Sequence, residues 1–100
     1  MEKRPTRREI LNAFITLGEA FPERRDEFQE LAFKHTLNGF DLSVLGLKKR
    51  TENALGRHGM RTTRSLTHMT ESDLNQLLRI EGIWTKSLAE IKERVHEFTA

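Results

Sequence analysis

One hundred residues suit one domain, and 36% hydrophobic with 32% charged content fits a helical domain better than a disordered one. Cysteine is absent, which excludes disulfides and thiolate metal sites. The net charge is only +2 but is unevenly placed: residues 1–42 carry 7 − 8 = −1 and residues 43–100 carry 10 − 7 = +3.

The sequence opens on a basic run, Met1 to Glu9, followed by apolar residues. Asn12, Thr16 and Glu19 interrupt the unbroken apolar stretch that an export signal needs. No run is long enough to span a membrane, so a cytoplasmic location is expected. Thr6-Arg7-Arg8-Glu9 has capping-box spacing, and Ile10, Phe14, Leu17 and Phe21 then recur at helical period. Gly18 and Pro22 limit this first helix. A second helix starts near Pro22 and carries Phe28, Leu31, Ala32 and Leu37, until Asn38-Gly39 stops it. Residues 5–38 thus read as a helical hairpin.

Asp41 to Gly46 reads as an apolar connector. A third helix runs from Leu47 or Lys48 to His58 and ends at Gly59. Thr62 or Thr63 caps a short helix with Leu66 and Met69. Thr70-Glu71-Ser72-Asp73 opens another, with Leu74, Leu77 and Leu78 expected to face inward. Glu81-Gly82-Ile83 forms a tight turn. The last helix carries Leu88, Ile91, Val95 and Phe98 as one stripe. No strand pattern, fixed-period repeat or low-complexity segment is present. The expected fold is all-α, a compact bundle of about six short helices. Residues 1–40 form the hairpin, packed on the same domain as residues 41–100.

Nothing in this pattern supports catalysis. His35, His58, His68 and His96 do not pair at metal-ligand helical spacing. No phosphate-cradling glycine loop occurs, and no nucleophile stands with a base. Neither a cofactor nor a metal is expected.

Binding is better supported. Lys48, Lys49, Arg50, Arg57, Arg61 and Arg64 fall within residues 48–64 against one acid, Glu52. Such a patch attracts phosphates, though a solvated surface looks the same from charge alone. Ile80-Glu81-Gly82-Ile83-Trp84-Thr85-Lys86-Ser87 resembles the hairpin of helix-hairpin-helix DNA-binding motifs. Gly82, Ile83, Lys86 and Ser87 match, and Trp84 takes the place of the second glycine. In that motif glycines let the backbone approach a phosphate, and free N–H groups at the helix start point at it.

From about Leu47 to Val95 the sequence resembles the C-terminal domain of the bacterial RNA polymerase alpha subunit. Arg50, Asn53 and Leu55 match an Arg-x-x-Asn-x-Leu helix start. Gly59, Met60, Thr62 and Leu66 fit the next segment, and Thr70, Glu71, Asp73 and Leu74 fit a capped short helix. Lys86, Ser87, Leu88, Glu90 and Ile91 match the closing motif. The resemblance implies a helix-hairpin-helix, SAM-like fold that docks on the minor groove of A/T-rich duplex DNA and touches transcription regulators or RNA polymerase. It implies that Arg50 enters the minor groove and Asn53 bonds sugar or phosphate. Ala54 would lie against the DNA backbone, Gly82 would be the close-approach point, and Lys86 and Ser87 would hold phosphate. Glu90 would orient the basic groups.

Three departures stand out. Trp84 replaces a glycine beside the phosphate. About three extra residues lie between Asp73 and Ile80. Lys48 stands where the family has a serine or threonine cap. Trp84 is therefore also a candidate anchor for a protein partner, the main alternative to DNA. Two roles are open to the hairpin: enlarging a small core, or forming a homodimer through Phe14, Leu17, Phe28 and Leu31.

Overall fold

A computed structural model describes residues 4–100; Met1-Glu2-Lys3 of the basic N-terminal run lie outside them. The Thr6 hydroxyl accepts the Glu9 N–H at 3.2 Å, and the Glu9 carboxylate accepts the Thr6 N–H at 3.1 Å. This capping box starts α1 (Arg7–Ala20). Gly18 does not end the helix. It is buried within it, where an added Cβ would meet the Arg25 side chain at 3.5 Å. The small residue lets α1 lie close against α2 (Arg25–Asn38), reached through a 3-10 turn at Pro22–Arg24. Gly39 ends α2 at φ 79°, and a Cβ there would stand 2.8 Å from the Arg64 backbone nitrogen.

Two strips of backbone then clasp each other. Phe40 N–H donates to the Thr63 hydroxyl at 3.0 Å, and Thr63 N–H donates to the Phe40 carbonyl at 2.8 Å. Leu42 N–H reaches the Arg61 carbonyl at 3.2 Å, and the Arg64 guanidinium donates to the Leu37 carbonyl. Asp41 accepts the Ser43 N–H at 2.9 Å and opens a 3-10 turn, Leu42–Leu45. Ser43's backbone and hydroxyl, helped by the Lys49 charge, hold the Asp41 carboxyl below its ordinary value.

The body follows as α3 (Lys49–Arg57), α4 (Thr63–Thr67), α5 (Glu71–Asn75) and α6 (Thr85–Thr99). Thr70 and Asp73 form a second capping box at the start of α5. Leu55, Leu66 and Ile91 have no exposed surface. Each is worth about 1.5–3 kcal/mol of burial. The α6 stripe of Leu88, Ile91, Val95 and Phe98 is buried throughout.

Leu78 corrects the expectation for this region. It is 46% exposed. The backbone tightens after Asn75 into a 3-10 turn, Gln76–Arg79, so the inward face repeats every three residues. Leu74 and Leu77 are buried on it and Leu78 is carried outward.

A column of rings joins the hairpin to the body. Phe14 stacks on His35 at 5.9 Å between centroids, and His35 stacks on Phe40 at 4.6 Å. Phe40 then meets Phe98 of α6 edge-on at 5.9 Å. Among the described residues there is no strand, only an isolated bridge between Asp41 and Thr62. The architecture is all-α. Its radius of gyration is 15.2 Å, against about 13 Å for a compact domain of this length.

Candidate nucleic-acid interface

The start of α3 has no side-chain cap of its own. Lys48 is the capping residue, and its side chain makes no capping bond. Glu90, from the second turn of α6, instead accepts the Lys48 N–H at 2.8 Å. A carboxylate at a helix start is favourable because the exposed N–H groups carry partial positive charge. One bond across 42 residues of sequence thus fixes the start of α3 beside the start of α6. Between them runs an open groove of about 570 Å³, lined by Lys48, Arg50, Thr51, Trp84, Lys86, Ser87 and Glu90.

The groove brings together Arg50, Lys86, Ser87 and Glu90 from the two ends of the sequence pattern. Glu90 positions the backbone of α3, with one carboxylate oxygen engaged by the Lys48 N–H. Asn53 is exposed, but it lines a neighbouring groove of about 500 Å³ with Glu52, Arg57 and Arg61. Ala54 corrects the expectation: it has no exposed surface and cannot lie against a DNA backbone. The reason is Gly82. Its φ is +95°, and a Cβ on it would come 3.1 Å from the Ala54 Cβ. The hairpin turn therefore presses directly on α3, and the glycine at 82 serves contact within the protein. Arg57 reaches the same place, its Nη2 3.5 Å from that Cβ position.

Trp84 is 67% exposed and is the residue before the first turn of α6. Its φ of −109° and ψ of 174° are ordinary extended backbone, so no strain attends the tryptophan. It lines the groove together with Lys48, Arg50, Thr51, Lys86, Ser87 and Glu90.

Lys48, Arg57 and Arg61 are the surface cations that motif matching passed over. The signal for them was the basic run in residues 48–64, which does not say which members share a face. Among the described residues, none of Lys48, Arg50, Arg57, Arg61 and Lys86 has a carboxylate partner in an ion pair. No group of three or more His, Asp or Glu among the described residues is placed to hold a metal ion. No described helix is long and apolar enough to cross a membrane.

Set against known families, residues 32–97 match that of the C-terminal domain of the alpha chain of bacterial RNA polymerase. The match begins within α2 and runs nearly to the end of α6, over about two thirds of the sequence. No solved structure matches it.

Proposed function

The protein belongs to the family of the C-terminal domain of the bacterial RNA polymerase alpha chain, and on that premise we propose that it grips duplex DNA with the groove between α3 and α6. The family is a transcription-related, non-catalytic DNA-binding one. The observation that carries the proposal is the convergence of Lys48, Arg50, Lys86 and Ser87 on one open groove. Among the described residues, no carboxylate is in an ion pair with any of its cations. Cations outside ion pairs retain their charge for phosphate. Arg50 enters the minor groove, where A/T tracts concentrate negative potential. Lys86 and Ser87 hold phosphate, and Asn53 extends the contact along α3. The protein acts in the cytoplasm and catalyses nothing.

Residues 1–40 act in this reading as a hairpin that enlarges the domain formed by residues 41–100. The ring column and the clasp at Phe40 support that role. The alternative role for the hairpin is a homodimer surface. Leu17 and Leu31 are exposed on it, whereas Phe14 and Phe28 are partly covered in its own seam. A second reading, docking of a transcription regulator or polymerase component without DNA, is favoured by the exposure of Trp84, since tryptophan anchors many interfaces.

Anisotropy of A/T-rich against G/C-rich duplexes at two salt concentrations tests the proposal. Arg50→Ala should cost about 1–3 kcal/mol and flatten the A/T preference. Lys86→Ala should weaken both duplexes alike and reduce the salt slope by about 0.9. Equal, sequence-independent losses for the two variants would contradict the assigned roles. Absence of duplex binding at low salt would hand the surface to the protein-docking reading.

A further inference from the structure

We propose that the same groove takes single-stranded DNA, with one base stacked on the Trp84 ring. The inference rests on the groove being a nucleic-acid surface and adds a ligand form that a duplex clamp does not require. Trp84 is the largest exposed apolar side chain of the body, and it joins none of the ring stacks among the described residues. The rest of the groove lining is Lys48, Arg50, Thr51, Lys86, Ser87 and Glu90, so Trp84 is its one apolar member. An aromatic platform among cations is the arrangement by which single strands are held: cations track the backbone, and the ring takes a base face. A duplex buries its base faces in its own stack and offers this ring only edges and sugars. A space of about 570 Å³ lies within the range of pockets for small ligands and accommodates a nucleotide.

The backbone of Trp84 is anchored, because it starts a fifteen-residue helix whose inner face is fixed in the core. The Glu90 bond sets the opposite wall. A protein partner is less well served, because the centres of protein interfaces are depleted of charge, and three cations line the same groove as Trp84.

As the sole tryptophan, Trp84 reports its own contacts by fluorescence. A ten-residue oligothymidylate, titrated into the protein at low salt, should quench the emission, and salt should reverse the quenching. Trp84→Ala should weaken the labelled strand by a factor of about 5 to 150, the range for loss of a stacked base, and Trp84→Phe should restore part of that loss. Duplex binding should strengthen in Trp84→Ala, because the ring no longer stands between the groove and a phosphate. The proposal is overturned if duplex binds but the single strand neither binds nor quenches. It is equally overturned if Trp84→Ala leaves single-strand affinity unchanged, or if polyglutamate quenches as strongly as the oligonucleotide. If neither duplex nor single strand binds, the reading of the groove as a nucleic-acid surface falls as well.

Discussion

Replacing Glu90 with alanine removes two things at once. It takes a negative charge out of a groove assigned to phosphates, and it deletes the acceptor that holds the Lys48 N–H at 2.8 Å. The two losses act on DNA binding with opposite signs. Unit charges about 10 Å apart in water interact by about 0.4 kcal/mol, and 0.1 M salt leaves about a third of that. Losing a capping bond costs about 1 kcal/mol. The structural loss therefore outweighs the electrostatic gain. Glu90→Ala should lower the melting temperature by about 4–8 °C and weaken duplex binding about fivefold, because the start of α3, which carries Arg50, is no longer fixed. Glu90→Gln separates the terms. Its amide oxygen still accepts the N–H while the charge is gone, so stability should fall by less than about 0.5 kcal/mol and duplex affinity should hold or rise slightly. Circular dichroism melts and duplex anisotropy, run on both variants, give the answer. If Glu90→Ala binds as tightly as the parent protein and melts at the same temperature, the bond to Lys48 does not hold the groove.

Thr63→Val keeps the side-chain shape but removes the acceptor of the buried Phe40 N–H. Thr63 is only 2% exposed, so water cannot replace the bond. A loss of about 1–3 kcal/mol in urea unfolding is expected, and a loss near zero would mean the clasp is not stabilising. For the homodimer, sedimentation of the parent protein should show self-association that Leu17→Glu with Leu31→Glu abolishes while the helical spectrum persists. A parent protein that stays monomeric at high concentration would leave the hairpin its packing role alone.

The helices were legible because each depends on residues a few positions apart. The boxes at Thr6 and Glu9 and at Thr70 and Asp73 are local, and so is the stripe from Leu88 to Phe98. What could not be read were pairings across long stretches of sequence. Glu90 reaches Lys48 from another helix, and no spacing rule shows that. Ala54 has the sequence context of a surface residue on a basic helix, and only the approach of Gly82 reveals why it is covered. Leu78 failed for a local reason: its period changes from 3.6 to 3 in mid-segment, with no proline or glycine to mark the change.

The column from Phe14 through His35 and Phe40 to Phe98 constrains when packing can be completed as the protein is made. Phe14 leaves the ribosome before Phe98, yet the column is complete only when all four rings are present. A nascent polypeptide halted before α6 carries a ring column that ends at Phe40. Until Phe98 arrives, Phe40 lacks a wall, and the clasp around it guards an open seam. The hairpin is thus synthesised before the body against which its ring column closes. Throughout that interval its apolar face is available to chaperones or to the same face of a neighbouring nascent polypeptide.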